Sequence, residues 1–566
     1  MKRFIIRFGI ILILFSTLKL QAQDKNSNPK PPASTTTTAT TIAHPHKENR
    51  DKLSVRINNW FAPKVTWLGD VLFWDPFSAS GIYDPTVRNT DGTPILDING
   101  KKIEKHFPLV VIWLILGAIY FTFRMKFINI RGFKHSIQLI QGKYDKPDDP
   151  GEVSHFQALA TALSGTVGLG NIAGVAIAIT VGGPGATFWM IIAGFLGMSL
   201  KFTEVSLGVK YRKVHANGTV SGGPMYYLSR ALKKQHLGKI NLGGFGKFLA
   251  IIYATLLVGA SLGGGNMFQS NQTFKQFEMF LPSINGHGAY FGIIMAIFVG
   301  IVIIGGIKSI AKVTEKIVPL MAFVYITAAL VIIGINYENI PHVFALIIKG
   351  AFVPNALKGG IIGVLIVGFQ RAAFSNEAGV GSASIAHSAV KTEEPISEGI
   401  VALMEPLVDT VIICTMTALV IVFTGYHNPA LAQGYDGAQL TSKAFGSVIS
   451  WFPIVLAFAI MLFAFSTMIS WSYYGLKGFN YLFGNIFDKT FKNKSVKKYF
   501  FFAIFLLFIV IGAASNMGSV MDFADMMILS MAFPNIIGLL ILAPEVYGDL
   551  KSYMARVKSG DIKKFK

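Results

Sequence analysis

The sequence predicts an all-α protein that crosses a membrane many times. Hydrophobic residues make up 52% of the 566 residues and charged residues only 14%, whereas soluble domains carry about a quarter charged residues. The apolar residues recur in segments of about 20, the length of helix that crosses a bilayer. Lysine and arginine lie in the short connections between these segments, as they do in cytoplasmic loops. These three observations predict a polytopic membrane protein.

The chain begins with a predicted signal peptide over residues 1–22. Met1-Lys2-Arg3 precedes an apolar stretch, and Leu20-Gln21-Ala22 ends in the small residue typical of a cleavage site. An uncleaved membrane anchor is the alternative. Residues 23–50 are rich in proline and threonine and poor in apolar residues, which predicts a disordered tether. Residues 51–106, with several tryptophans, are interpreted as a periplasmic or interfacial insert that begins with an amphipathic helix.

The chain after the insert contains apolar segments long enough to span a bilayer. There are eleven of them, near residues 107–124, 157–181, 185–208, 247–270, 288–306, 316–334, 358–386, 397–424, 448–475, 499–514 and 525–543. The first, within 107–126, is predicted to be an extra helix outside the core, and a cytoplasmic amphipathic segment follows at 127–156. The other ten form two predicted halves, 157–336 and 337–545, and a basic cytoplasmic tail ends the chain at 546–566.

The basic residues predict the orientation of the chain in the membrane. Loops with several lysines and arginines alternate with loops that contain almost none, such as 425–447 and 514–524. Because positive charge stays in the cytoplasm during insertion, this alternation places the tether outside and the C-terminus inside, in a bacterial inner membrane. The formal net charge of +21 therefore reflects topology, and it does not predict binding to nucleic acid.

Two glycine-rich runs interrupt predicted spans. One is Gly165 to Gly174 in the second span, and the other is Ser375 to Ser382, five spans later. Glycine at this density unwinds a helix, and unpaired backbone groups at membrane depth persist where they line a substrate or ion site. An interval of five spans places the two breaks at corresponding positions of two five-helix halves. Because five is odd, the two halves enter the membrane from opposite sides. This is the 5+5 inverted repeat of the leucine-transporter fold, with broken first and sixth core helices.

The residues around both breaks resemble the alanine or glycine:cation symporter family, also called the sodium:alanine symporter family. The matching runs include Gly165 to Gly174, Gly182-Gly183-Pro184-Gly185, Gly222-Gly223-Pro224-Met225, Phe374 to Gly379 and Trp471 to Gly475. The similarity covers about residues 107–545, and Leu169 stands where the family usually has threonine. The resemblance implies import of a small neutral amino acid, alanine or glycine, with Na⁺ as coupling ion and no cofactor. Proton coupling, with another small amino acid such as serine, is the alternative.

The two breaks supply the predicted substrate site. Backbone N–H and carbonyl groups of the first break are expected to bind the carboxylate and ammonium groups of an amino acid. Gln269 is expected to touch the substrate, Trp471 to close the pocket, and the Asn376 side-chain oxygen to face substrate or ion. The predicted substrate-binding residues are Thr166, Gly168, Gly170, Asn171, Gln269, Phe374, Ser375, Asn376, Thr467 and Trp471. The alternative is that these glycines only let helices pack closely.

A sodium site is predicted where two adjacent hydroxyl groups meet the first break, because oxygen ligands suit a hard cation. Its predicted ligands are Gly165, Gly168, Ser466 and Thr467. Glu377, Glu405 and Asp409 are candidates for coupling, since acids at membrane depth are costly unless paired or functional. In the structural alternative Glu377 pairs with Arg371. Glu405 and Asp409, four residues apart on one helix face, pair with lysine or arginine.

Nothing in the sequence indicates an enzyme. His387 is interpreted as a hydrogen-bonded structural group, and Cys414 as a small core residue. The sequence shows no nucleophile accompanied by a base and an orienting group. Its polar groups cluster at one depth and do not line a pore. An enzyme and a channel are therefore remote alternatives.

Overall fold

The computed structural model describes residues 52–81, 84–86, 93–94, 107–145, 149–216, 218–352, 360–493 and 495–565. The predicted signal peptide and tether lie outside these residues. Most of the described chain is helical. Two short antiparallel hairpins join β1 (Lys213–Val214) to β2 (Val220–Ser221) and β3 (His236–Leu237) to β4 (Ile240–Asn241).

The helices before residue 340 include the first predicted half. They are α1 (Lys52–Leu72), α2 (Pro76–Ala79), α3 (Leu109–Arg124), α4 (Ile128–Arg131), α5 (Phe133–Ile140), α6 (His155–Thr166), the π-helix π1 (Gly170–Gly174), α7 (Val175–Gly182), α8 (Gly185–Lys210), α9 (Pro224–Ala231), α10 (Gly243–Leu262), the π-helix π2 (Gly263–Met267), α11 (Phe268–Glu278), α12 (Gly288–Ile303) and α13 (Gly306–Ile335). Single 3₁₀ turns lie at Leu232–Lys234, Pro282–Ile284 and Tyr337–Asn339.

The helices of the second predicted half follow. They are α14 (Ile340–Phe352), α15 (Gly360–Asn376), α16 (Ala383–His387), α17 (Pro395–Val401), α18 (Met404–Pro406), the π-helix π3 (Leu407–Cys414), α19 (Thr415–Phe423), α20 (Pro429–Ala432), α21 (Gly437–Gly446), α22 (Phe452–Thr490), α23 (Val496–Ala514), α24 (Met517–Ser530) and α25 (Ala532–Ser559). The last predicted span, 525–543, thus straddles two helices that meet at Met531. Helix α25 also continues into the segment predicted as a tail.

The described chain is a mostly helical, multi-span membrane protein. Among its residues, seven helical stretches are long and apolar enough to cross a membrane, and the α6 and π1–α7 pair, bent by 51°, makes an eighth. Three shorter apolar helices are α3, α12 and α15. Each predicted span overlaps one of these elements. The count of eleven crossings remains a prediction.

The first predicted break is present between α6 and α7. Helix α6 begins with a capping box, in which the Ser154 side chain accepts from the Gln157 N–H and the Gln157 side chain accepts from the Ser154 N–H. It ends at Thr166, and helical structure resumes in π1. There the Leu169 carbonyl oxygen accepts three N–H groups, those of Ile172 at 3.3 Å, Ala173 at 2.8 Å and Gly174 at 3.1 Å.

The second predicted break separates α15 from α16. Its backbone has positive φ angles at Glu377 (57°), Gly379 (89°) and Gly381 (88°). Glycine adopts this conformation without the steric cost that a side chain adds. A Cβ at Gly381 would also lie 2.6 Å from Pro224 Cγ and 3.0 Å from the Asn535 side chain. The glycines here are therefore required by both backbone angle and space.

One end of the helix bundle is rich in basic residues that are held in place by ion pairs. Lys210 Nζ lies 2.6 Å from Glu545 Oε1, and Arg556 donates two hydrogen bonds, of 2.5 and 2.7 Å, to Glu394. Arg212 donates to the Val390 carbonyl at 2.6 Å. We call this end the basic face. It is the end that the sequence predicts to be cytoplasmic.

Helix α1 of the N-terminal insert packs on helix α24 near the opposite end. The Phe61 and Phe523 rings meet edge to face with centroids 5.4 Å apart. The Asn58 side chain accepts a hydrogen bond from the Asn516 N–H at 2.8 Å. The insert is thus attached to the helices through both apolar and polar contacts.

Candidate functional site

Both breaks converge on the carboxylate of Asp409 in π3. From the first break, Asn171 Nδ2 donates to Asp409 Oδ1 at 2.7 Å and to the Asp409 carbonyl oxygen at 3.0 Å. At the end of α15, Ser375 Oγ donates to Asp409 Oδ2 at 2.8 Å, and Thr410 Oγ1 donates to the same oxygen at 2.7 Å. The Asp409 side chain has no exposed surface. One acid therefore connects both broken helices.

Asp409 is held by neutral donors. Within the described ranges, no lysine, arginine or histidine forms an ion pair with it, so the predicted pairing of Asp409 with a basic residue is wrong. The pairing predicted for Glu405 is present, because Glu405 Oε1 lies 3.3 Å from Lys201 Nζ. The two acids of this helix thus differ. Glu405 has a cationic partner, whereas Asp409 has only neutral hydrogen-bond donors among the described residues.

The first-break N–H groups are occupied by side chains. The Gly168 N–H donates to Asn171 Oδ1 at 2.8 Å, and the Leu169 N–H donates to Gln269 Oε1 at 3.1 Å. The sequence predicted that N–H groups of this break face a substrate carboxylate. In this conformation the two amide side chains take that position. Gln269 lies against the break, as its predicted role requires.

Trp471 connects the two breaks from helix α22. Its indole N–H lies 3.2 Å from both the Gly165 carbonyl oxygen and Glu377 Oε1. The other Glu377 oxygen accepts a hydrogen bond from Ser382 Oγ. The predicted pairing of Glu377 with Arg371 is therefore wrong. Glu377 is bound by neutral donors within its own break and on α22.

Arg371 pairs with Asp525 of helix α24. Both residues are buried, and Arg371 Nη2 contacts Asp525 Oδ2. Gln370 Nε2 donates to the same oxygen at 3.1 Å. The Arg371 guanidinium also lies 5.4 Å from the centre of the Phe374 ring, close enough for a cation–π interaction. This pair joins α15, five residues before its end at the second break, to α24.

Arg371→Ala is expected to destabilise the protein by about 3–5 kcal/mol, because it leaves the buried Asp525 carboxylate without its counter-charge. The paired variant Arg371→Met/Asp525→Leu removes both charges and is expected to be milder. Thermal unfolding in detergent measures both variants. A single variant that unfolds at the wild-type temperature would contradict the assigned pair.

The two hydroxyl groups of the predicted sodium site contact different helices. Thr467 Oγ1 donates to the Ser164 carbonyl at 3.0 Å, and Thr467 also lines the space beside Gly168. Ser466 Oγ donates into its own helix, to the Phe463 carbonyl at 3.0 Å. The structure therefore brings Thr467 to the first break, while the Ser466 hydroxyl is engaged within α22.

The second-break side chains are also engaged. Asn376 Oδ1 accepts the Ala378 N–H at 2.9 Å, and its Nδ2 donates to Thr410 Oγ1 at 2.9 Å. This differs from the prediction that the Asn376 oxygen faces substrate or ion, because the oxygen caps the turn that follows it. Phe374 packs edge to face on Phe268, with ring centroids 5.1 Å apart.

The remaining predicted positions lie near the same place. Thr166 Oγ1 is 3.4 Å from two carbonyl oxygens of its own helix. A Cβ at Gly170 would lie 3.3 Å from Ser375 Cα and 3.5 Å from the Phe374 ring. The two breaks are therefore in close contact at Gly170.

Cys414 is buried in the core, as the sequence predicts, and it also lies at the junction of the breaks. Its Sγ is 3.3 Å from Asn171 Nδ2 and 3.4 Å from Ser375 Oγ. Residues 407–414 form a π-helix, whose wider turn moves side chains off the α-helical faces that sequence spacing assumes. Single π turns are common at functional sites.

Comparison with known proteins identifies relatives over most of the chain. A family model described as "Sodium:alanine symporter family" matches residues 95–566. The sodium/alanine symporter AgcS of Methanococcus maripaludis is 38% identical over 450 residues, which are 79% of this chain and 94% of AgcS. The probable sodium/glutamine symporter GlnT of Bacillus subtilis is 35% identical over 457 residues, 80% of this chain and 89% of GlnT. The solved structure of MhsT in complex with L-phenylalanine covers 69% of this chain and 98% of that chain, with 14% identity and a TM-score of 0.44.

Proposed function

Because the chain belongs to the sodium:alanine symporter family, we propose that it imports alanine or glycine together with sodium. This family consists of transporters and not of enzymes, and its members couple amino acid transport to sodium. The choice of amino acid, the ion sites and the inward direction are our proposal. The observation that carries it is the Asp409 carboxylate between the two broken helices, which contacts neutral donors but no cationic side chain among the described residues.

A bound sodium ion would supply the positive counter-charge that the Asp409 carboxylate does not receive from the described side chains. A buried carboxylate without a cation is costly, and hydrogen bonds from neutral groups offset only part of that cost. The oxygen atoms of Ser375 and Thr410 lie within hydrogen-bonding distance of the carboxylate, and oxygen ligands suit sodium. We place one sodium ion at Asp409, in addition to the predicted site formed by Gly165, Gly168, Ser466 and Thr467.

The tight space around the breaks supports a small substrate. A Cβ at Gly168 would lie 3.1 Å from Gln269 Oε1. The large, buried rings of Phe374 and Trp471 fill the space near the breaks. Side chains occupy the first-break N–H groups in this conformation, and glycine and alanine, as the smallest amino acids, require the least displacement of them. We propose that the ten predicted substrate-binding residues surround this space when the amino acid is bound.

The proposed transport cycle alternates access to the site from the two sides of the membrane. We infer the 5+5 inverted repeat, with halves 157–336 and 337–545 and an extra helix before them. The presence of a break in each half supports it. We also propose that the basic face is cytoplasmic, so that sodium enters down its gradient. A membrane potential of 100 mV contributes about 2.3 kcal/mol per charge.

The test is uptake of labelled alanine into proteoliposomes under an inward sodium gradient. We expect accumulation that disappears when sodium is replaced by potassium and is not restored by a proton gradient. Glycine is expected to compete with the label. Uptake driven by protons alone would overturn sodium coupling in favour of the proton-coupled alternative. Sodium-driven uptake of serine or another amino acid, without alanine or glycine, would overturn the proposed substrate.

A further inference from the structure

A second buried polar cluster connects five ionisable side chains in a row. His155 Nδ1 contacts Glu398 Oε2, and His387 Nδ1 lies 2.5 Å from Glu398 Oε1. His387 Nε2 lies 3.4 Å from Glu405 Oε2, and Lys201 Nζ lies 3.3 Å from Glu405 Oε1. All five side chains are at most 3% exposed. We call this row the histidine–glutamate chain.

The histidine–glutamate chain has one end at the basic face. His155 lines a cavity of about 270 Å³ and its Nε2 lies 3.8 Å from Asp145 Oδ1. The cavity is bounded by helix α5, the segment before α17 and the C-terminal segment, with Arg556 among its lining residues. Water and protons from this side therefore have a polar space that ends at His155.

The other end lies beneath the second break. Lys201 is on helix α8, and Gly197 lies about one helical turn before it. A Cβ at Gly197 would lie 2.8 Å from Ala378 Cβ and 3.9 Å from Asn376 Oδ1. The five side chains thus lead from the cavity to the helix that packs on the second break.

The contacts are those of a relay. Each glutamate uses one oxygen for the residue before it and the other oxygen for the residue after it. His387 faces a carboxylate with each ring nitrogen, and an imidazole accepts a proton on one nitrogen and releases one from the other. A simple structural ion pair needs only one contact per group. His387 Nε2, both Glu405 oxygens and Lys201 Nζ make no hydrogen bond within the described residues, so the 3.4 Å distance between His387 Nε2 and Glu405 Oε2 has to shorten before a proton passes between them.

The summed charge of the histidine–glutamate chain allows it to take up one proton. With neutral histidines, the two glutamates and Lys201 sum to one negative charge, and one added proton cancels it. Other charged or titratable groups surround the chain on the elements packed against it. They are Asp145 and Asp149 in the loop before α6, Glu204 and Arg212 on and after α8, Glu377 in the second break, Asp409 in π3 and Tyr474 on α22.

We propose that the histidine–glutamate chain carries a proton between the cytoplasmic cavity and the second break during transport. The proton enters at His155 and passes from its Nδ1 to Glu398. Rotation of that carboxyl group presents it to His387 Nδ1, and His387 releases its other proton from Nε2 to Glu405, beside Lys201. This inference rests on the proposed function for the transport cycle. It predicts that the transport rate responds to pH on the cytoplasmic side and not on the outer side.

The experiment measures sodium-driven alanine uptake in oriented proteoliposomes with pH set separately on each side and the voltage clamped. We expect the wild-type rate to change about threefold or more between about pH 6 and about pH 9.5 on the cytoplasmic side, a range that allows for the upward shift that neighbouring carboxylates give to the pKa of a histidine. The same change outside is expected to have little effect. In His387→Gln and Glu398→Gln, the ratio of the rates at the two cytoplasmic pH values is expected to fall to about one, because each substitution interrupts the relay.

His135→Gln is the matched control. His135 is also a buried histidine near the basic face, where its Nε2 lies 2.9 Å from the Tyr553 hydroxyl oxygen, but it is not part of the chain. We expect this variant to keep the wild-type pH response. A purely structural role of the chain predicts that His387→Gln changes the rate equally at both pH values, which would overturn the proposal.

A second measurement separates this proposal from the proposed function. Purified protein in weak buffer with a pH dye is mixed with sodium and a set of small neutral amino acids. We expect the wild type to exchange about one proton per molecule, and His387→Gln to exchange none. No exchange by the wild type would overturn the relay. Absence of alanine uptake at every pH, with proton exchange intact, would instead overturn the proposed substrate.

Discussion

Asp409→Asn is expected to abolish most of the sodium-driven alanine uptake at ordinary sodium concentrations. The substitution keeps the shape of the side chain and most of its contacts with Asn171, Ser375 and Thr410, but it removes the negative charge. A hydrogen bond to a charged group contributes about 1.5–3 kcal/mol, and attraction of a cation to the same buried charge contributes at least as much. The sodium concentration for half-maximal uptake is therefore expected to rise by roughly 10- to 150-fold.

Two measurements distinguish this result from a loss of folding. Sodium is expected to raise the unfolding temperature of the wild type relative to potassium, because a ligand that binds the native state stabilises it. Asp409→Asn is expected to fold and to show a clearly smaller rise, because the second proposed sodium site is unchanged. Asp488→Asn is the control, since it removes a carboxylate that pairs with Lys497 in an exposed position. Wild-type sodium dependence in Asp409→Asn would remove Asp409 from the ion site.

Gly168→Ala is expected to reduce uptake by at least about tenfold. The added methyl group would lie 3.1 Å from Gln269 Oε1 and even closer to Thr467 Oγ1. Extra atoms in a packed interior cost about 1–3 kcal/mol. At Gly168 the added methyl group would displace Gln269 and Thr467, the side chains that contact the first break.

Gly174→Ala makes the same chemical change in the same break and serves as its control. Nothing lies within 4 Å of the Cβ that alanine would add at Gly174, so uptake is expected to stay near the wild-type level. Initial uptake rates, normalised to the amount of reconstituted protein, measure the difference. Equal rates for the two variants would show that the space beside Gly168 is not critical for transport.

The positions of the breaks could be predicted from the sequence because their cause is local. Glycine density alone identifies the places where α6 and α15 end, and helix structure is lost there. The helices of the predicted spans follow from apolar length in the same way. Thr467 was predicted to lie beside the first break, where the structure places it. Gln269, whose predicted contact with the substrate stays a prediction, lies against the same break.

The partners of the charged groups could not be predicted because they are distant in sequence. Arg371 and Asp525 are 154 residues apart, and His155 and Glu398 are 243 residues apart. Sequence spacing suggested Arg371 as the partner of Glu377 because it is the nearest basic residue in the same span. The π-helix at residues 407–414 is a further obstacle, since it changes which face Asp409 and Cys414 occupy.

The shared carbonyl oxygen of Leu169 has a mechanical consequence. Its three N–H partners stand three, four and five residues later, which are the spacings of the 3₁₀-, α- and π-helix. The turn after this carbonyl can therefore adopt three hydrogen-bonding patterns. When one of the three hydrogen bonds lengthens, another can shorten, so the carbonyl keeps a partner throughout. We expect such a turn to serve as a hinge at which α7 changes its tilt against α6 during transport. The backbone of Leu169 would then contribute to this motion, whichever side chain occupies the position.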